Sequence, residues 1–164
     1  MPKTYEPIAT TTLGSSAADI TFTSIPGTYT DLIIQGSAGS TSSTLNRAIR
    51  IQFNTDTGNN YSFTSLYGEA SAGYSYRSSN VGYINAVEAI GYSSDWSAVT
   101  IQVLNYANTT TNKTTVGRGG SKDQVSADVG LWRSTAAITS IKLFLNADSF
   151  RSGTVLTLYG IKAA

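Results

Sequence analysis

Apolar and polar positions alternate along this chain in short runs that are broken by Gly, Pro, Asn and Ser. The clearest run is Arg47–Phe53 (RAIRIQF). It puts Ile49, Ile51 and Phe53 on one face and Arg50 and Gln52 on the other, the two-residue period of a half-buried strand. Residues 96–106 repeat the pattern with Val99, Ile101 and Val103, and residues 138–146 with Ile141, Leu143 and Leu145 against Lys142. Residues 19–23 do so with Ile20 and Phe22, and residues 29–35 set Leu32 and Ile34 against Ile33. Residues 125–133 alternate too, and Val125, Ala127, Val129 and Leu131 are expected to face inward. Residues 8–13, 61–67 and 113–116 supply further strands. Val155–Ile161 is largely apolar on both faces, which predicts a central strand covered on both sides that must pair with strands made earlier.

Between these runs the turn residues are explicit. Pro26-Gly27 ends one strand, since proline cannot donate to a ladder and glycine accepts positive φ. Residues 54–60 (NTDTGNN) read as a hairpin turn. Residues 36–44, 68–80 and 117–122 are Gly/Ser-rich and read as long surface loops. Residues 81–90 admit a short helix through Ala86, Val87, Ala89 and Ile90, although Tyr83-Ile84 and Gly91-Tyr92 favour a strand. About ten strands, spaced by roughly 8–12 residues, predict an all-β single-domain antiparallel β-sandwich. The long irregular loops favour a jelly-roll-like arrangement over an even barrel. The domain is expected to span residues 8–164, after an extended N-terminal segment at residues 1–7.

Composition narrows the chemistry. Only 13% of residues are charged and the net charge is +1, so no electrostatic footprint for nucleic acid is visible. No run is long and apolar enough for membrane insertion, and no signal-peptide core follows Met1, so synthesis in a host cytoplasm without a cleaved signal is expected. Cys and His are both absent, which removes thiolate ligands, imidazole ligands and the commonest general base. The 54–60 turn has the alternating oxygens of a calcium loop, but Ser65 stands where an EF-hand needs an acid. Residues 117–122 (GRGGSK) lack the Walker spacing and a following helix; Arg118 and Lys122 suit contact with an acidic partner better. The acidic residues are scattered, with no spacing that implies a hydrolytic pair. Three Asn-x-Ser/Thr patterns read as turns. No catalytic, cofactor-binding or metal residue is expected.

What stands out is a Tyr-rich stretch in a Gly/Ser background: Tyr74, Tyr76, Arg77, Tyr83, Tyr92 and Trp96. Rigid rings among small polar residues make adaptable contact surfaces, so these six, with Arg118 and Lys122, are the candidate surface for a partner or glycan.

Four stretches carry a resemblance. Residues 4–32 (TYEPIATTTLGSSAADITFTSIPGTYTDL), 105–114 (NYANTTTNKT), 129–141 (VGLWRSTAAITSI) and 157–164 (TLYGIKAA) resemble a family of virion surface proteins of tailed phages of marine bacteria and cyanobacteria. The resemblance implies a small β-sandwich on the outside of the particle, standing alone or ending a tail fibre, with no catalytic residues to carry over. Leu131-Trp132-Arg133 and the stretch from Leu158 to Lys162 read as architecture. The first strand starts near Ile8, which reads as a head without a stalk. That favours a knob- or cement-like protein decorating the capsid at the virion surface, partnered by the major capsid protein. The alternative is a receptor-binding tip, partnered by a tail protein, trimeric if tail-borne and recognising a host surface glycan or protein. A glycan hydrolase is the enzyme alternative.

Overall fold

Alternation closes into twelve strands among residues 4–44, 46–92 and 94–162, which the computed structural model describes. They are β1 (Tyr5–Thr12), β2 (Asp19–Phe22), β3 (Asp31–Ala38), β4 (Arg47–Phe53), β5 (Tyr61–Glu69), β6 (Ala72–Val81), β7 (Ile84–Ile90), β8 (Ser97–Leu104), β9 (Lys113–Gly120), β10 (Gln124–Trp132), β11 (Ile141–Leu145) and β12 (Val155–Ile161). Two antiparallel sheets result, ordered β1-β12-β3-β8-β9-β10-β5-β6 and β2-β11-β4-β7. The quartets β1-β12-β3-β8 and β2-β11-β4-β7 are those of a long hairpin rolled so that strands alternate between sheets on either side of the β4–β7 pair, the strand order of a jelly roll. Two hairpins are let into it. The β5–β6 hairpin lies between β4 and β7 in sequence, β9–β10 lies between β8 and β11, and together they extend the first sheet by four strands.

The core lies between the two sheets. Leu32 and Ile34 of β3, Val99, Ile101 and Val103 of β8 and Leu156 and Leu158 of β12 meet Ile49, Ile51 and Phe53 of β4 and Ile141 and Leu143 of β11. Each such side chain contributes about 1.5–3 kcal/mol by leaving water. At one end Phe53, Tyr61 and Trp132 pack with ring centroids 5.4 to 6.4 Å apart. The Trp132 indole N–H donates to Asp56 Oδ2 at 2.7 Å, and Asp56 Oδ1 accepts from the Gly58 N–H at 2.8 Å. The 54–60 segment is a turn but not the expected hairpin: β4 pairs with β11 and β7 in one sheet and β5 with β10 and β6 in the other, so the turn carries the chain between sheets, with its Asp56 carboxylate held inside the protein. Arg133 follows, donating to Asn59 O, Tyr61 O, Asn80 Oδ1 and Ser62 Oγ, so the Trp-Arg pair locks β10 to the ends of β5 and β6.

Several expectations change. Residues 36–44 are not a loose surface loop: β3 runs on to Ala38, and residues 39–41 pair with residues 149–151 by backbone hydrogen bonds of 2.9 Å. Residues 117–120 belong to β9 rather than to a loop, and residues 72–81 form β6. Residues 84–90 are a strand, not a helix. Tyr5 pairs with Ile161, so the ladder takes in part of the N-terminal segment. β12 is paired on both edges, by β1 and β3, but its outer face (Val155, Thr157, Tyr159, Ile161) is only half-buried. The four-stranded sheet covers a single side of it.

The largest correction concerns β10. Gln124, Ser126, Asp128, Gly130 and Trp132 face inward, whereas Val125 and Val129 are 62% and 55% exposed. The cause is β7, which lies directly on β10, β9 and β5. A Cβ on Gly117 would collide with the Ala86 carbonyl oxygen, one on Gly119 with the Val87 side chain, and one on Gly130 with the Ile84 side chain. Close approach of backbone to sheet leaves no room for large side chains beneath β7. Gly117→Ala is therefore expected to cost about 1–3 kcal/mol through overpacking. Gly73→Ala on β6, where a Cβ meets nothing within 4 Å, is expected to be near neutral. The urea midpoints of the two variants, measured side by side, test this.

Candidate functional site

The eight predicted contact residues do not form one surface. Tyr74, Tyr76 and Tyr83 join an aromatic row with Phe63 and Tyr67. Tyr67 and Tyr74 stack at 5.0 Å, Phe63 meets Tyr76 edge-on at 5.8 Å, and Phe63 and Tyr83 lie 6.0 Å apart. Arg50 stacks over the Tyr83 ring at 3.9 Å. Tyr92 lies elsewhere, in a polar depression with Asn46, Glu69, Lys122 and Asp123, its hydroxyl donating to Asp123 Oδ2 at 3.2 Å. Trp96 is separate again, with the Arg151 guanidinium 4.1 Å over its ring. Arg77 on β6 and Arg118 on β9 point to the outer face of the large sheet, away from the tyrosines. Phe63 and Tyr67 were missed as candidates. The signal for them was the alternation Tyr61, Phe63, Ser65, Tyr67, which puts all four on one face of β5.

The outer face of the β9-β10-β5-β6 extension is the broadest unusual surface. Cross-strand register places Thr114, Val116, Arg118 and Gly120 beside Leu131, Val129, Ala127 and Val125. The next two strands add Ser62, Thr64, Leu66 and Gly68, then Ser79, Arg77, Ser75 and Gly73. Among these sixteen positions the charged residues are Arg77 and Arg118, and none is acidic. Leu66, Val116, Val125 and Val129 are all exposed large apolar residues. Solvated sheet faces ordinarily carry polar residues. This one sets exposed Val and Leu among Ser and Thr and carries two arginines with no acid.

On the opposite side of the same strands lies a polar nest. Asp128 on β10 stands directly across from Ser65 on β5, and Ser65 from Tyr76 on β6. From the facing sheet, β7 lowers Asn85 and Glu88 onto them. Tyr76 donates its hydroxyl proton to Glu88 Oε2 at 2.7 Å, and the Asn85 amide nitrogen lies 2.5 Å from both groups. Asp128 Oδ2 accepts from Ser126 Oγ at 2.8 Å and from the Glu88 backbone N–H at 3.2 Å. Burial pushes both carboxyls above their ordinary range. Tyr76 and Asn85 hydrogen bonds oppose this at Glu88 while the Asp128 charge adds to it, and Ser65, Ser126 and the Glu88 N–H oppose it at Asp128. Burial and the Glu88 carboxylate also raise Tyr76. Two acids that are far apart in sequence thus converge, which residue spacing had not indicated.

The sign of the pH dependence follows. Both carboxyls hold a proton more firmly in the folded state than in the unfolded chain, where values lie near about 4. Stability is therefore expected to rise as pH falls from neutrality through the raised folded values toward that unfolded value. Asp56 acts in the opposite sense. Its partial burial is outweighed by bonds from Trp132, Asn60 and Gly58, which hold it low, so its contribution is lost only in stronger acid. In chelator-treated buffer Asp128→Asn is expected to raise stability at neutral pH by about 1 kcal/mol, the scale of one unmade buried hydrogen bond. It should also flatten the rise between neutral and mildly acidic pH. Urea melts at a series of pH values check both statements.

No family model matches the chain, and no curated protein matches it. Among solved structures it is similar to a xylan β-1,4-xylosidase from Bacillus halodurans, at 5% identity and a TM-score of 0.36, over 82% of this chain and 28% of the xylosidase. It is also similar to a PL-14 alginate lyase from Aplysia kurodai, at 9% identity and a TM-score of 0.24, over 81% of this chain and 72% of the lyase. The chain thus spans less than a third of the xylosidase's length.

Proposed function

We propose that this chain is a non-enzymatic phage virion protein that decorates the outer capsid surface, docking on the major capsid protein through the outer face of β9-β10-β5-β6. The phage assignment rests on the resemblance of residues 129–141 and 157–164 to virion surface proteins. The mode of action rests on one structural observation, the exposed Leu66, Val116, Val125 and Val129 flanked by Arg77 and Arg118 with no acid among them. Apolar contact supplies the affinity of such a face, and the two arginines select an acidic counterpart and set orientation. A sheet face presented by a hydrogen-bonded ladder suits a repeating lattice, because each copy meets the same surface.

A receptor-binding tip on the tail is the second reading. The stacked Tyr67–Tyr74 pair favours it, since exposed rings are platforms for sugar faces. Quantitative mass spectrometry of purified particles separates the two. Decoration requires a copy number that scales with the major capsid protein, and a tail position requires a few copies in a small symmetric multiple. The double variant Val125→Asp/Val129→Asp is expected to fold with near-normal stability, because both residues are exposed. It should weaken binding to particles lacking this protein by about tenfold or more, through two unpaired charges buried at the interface. Unchanged binding would remove this face from the proposal.

A further inference from the structure

The nest beneath β7 is short of donors. Asp128 Oδ1 and Asn85 Oδ1 have no hydrogen-bond partner among the described residues, although Asp128 is 1% exposed and Asn85 3%. The Ser65 hydroxyl faces both Asp128 and Tyr76 without making a well-formed bond to either. An unpaired buried acceptor costs about 1–3 kcal/mol, more when it is charged, so such oxygens call for a partner that supplies positive charge. The surrounding groups do not supply enough of it. Arg50 on β4 faces Glu88 and lies over the Tyr83 ring, and its Nε is a buried donor with no hydrogen-bond partner among the described residues. Tyr76 and Tyr67 are the other titratable groups that face Glu88, and both are neutral at ordinary pH. Arg118, the charged residue of β9 nearest in register, lies on the opposite face of the sheet. Arg50 thus acts on Glu88, while Asp128 is met by burial and by hydrogen-bonding groups.

We propose that this nest binds one calcium-class cation, held by the Glu88 and Asp128 carboxylates together with the Ser65 hydroxyl and the Asn85 side chain, whose amide turns over so that its oxygen replaces the nitrogen that lies 2.5 Å from Glu88 Oε2. The donor set is all oxygen, in a chain without Cys or His, which suits a hard cation and not a thiophilic one. Carboxylate, amide and hydroxyl oxygens drawn from β5, β7 and β10 make an irregular cage. Calcium accepts such a cage, and magnesium, which demands a near-regular octahedron, does not. The ion ties β7 to the β5–β10 pair, so it stabilises the part of the sandwich that carries the outer docking face. Tyr76, 38% exposed, is the member of the nest nearest solvent, and its hydroxyl lies 2.7 Å from a Glu88 oxygen.

That tyrosine provides the readout. Chelator-treated full-length chain is titrated with terbium, and lanthanide emission is followed under tyrosine excitation. The expected result is emission that calcium displaces and magnesium displaces poorly, together with a calcium-dependent rise in melting temperature at neutral pH. Asp128→Asn should weaken both responses by about tenfold or more. Glu69→Gln, a carboxylate outside the nest, should leave them unchanged. If Asp128→Asn does not fold, Glu88→Gln, which keeps an acceptor for Tyr76, takes its place. The proposal is overturned if calcium neither displaces terbium nor moves the melt, which would leave a proton as the occupant. A calcium response that survives both nest variants overturns it equally.

Discussion

The close seat of β7 on the large sheet is the constraint from which most of this structure follows. Gly117, Gly119 and Gly130 clear a bed so shallow that Ala86, Val87 and Ile84 rest on backbone. A strand seated so near cannot be accommodated over bulky side chains, and beneath it β9 and β10 carry Thr115, Gly117, Gly119, Ser126, Asp128 and Gly130 on their inner faces, with the bulky Trp132 only at the end of β10. Ladder geometry then sends their apolar residues to the other side, because neighbours along a strand point in opposite directions. The exposed row Val125, Val129 and Val116 is thus not surplus hydrophobicity. It is the outer half of an arrangement whose inner half is glycine, serine and aspartate.

The same seat creates the buried polar nest. β7 is apolar at Ile84, Ala86, Val87 and Ile90, and these side chains fill the core. Asn85 and Glu88 are brought down with them, and the small residues beneath leave space for Tyr76, Ser65 and Asp128 to meet them. Burying two carboxylates with a single guanidinium opposes folding, and the raised proton affinity of both acids is the thermodynamic mark of that opposition. Jelly-roll packing elsewhere must supply the difference. It does so through the uninterrupted aliphatic contact of β3, β8 and β12 with β4 and β11.

How much of this was legible in the sequence depended on whether alternation was one-sided. In β4, β8 and β11 one parity is apolar and the other carries Arg50, Gln52, Thr100, Gln102 or Lys142, so both period and phase could be read. In β10 both parities are mixed. Val125, Ala127, Val129 and Leu131 compete with a set that includes Trp132, and period without phase is all that such a run can yield. The glycines were the available clue, since Gly117, Gly119 and Gly130 mark positions of close backbone approach, and Trp132 in register with Gly130 marks the buried parity. β6 was illegible for another reason. Its side chains are nearly all exposed, so nothing selects an apolar face, and its strand character comes from pairing with β5. The convergence of Glu88 with Asp128 was invisible for a third reason, because it depends on which strand crosses which and not on spacing within either.

The two faces of β10 are therefore coupled. Any occupant that neutralises Glu88 and Asp128, whether a proton or a cation, removes the charge that burial penalises and tightens the contact of β7 with the β5–β10 pair. Those strands also present Leu66, Val125 and Val129 on the other side, through a backbone ladder that cannot shift one face without the other. The polar nest and the apolar face are thus opposite sides of the same strands, and both follow from the glycines that let β7 lie close to the large sheet.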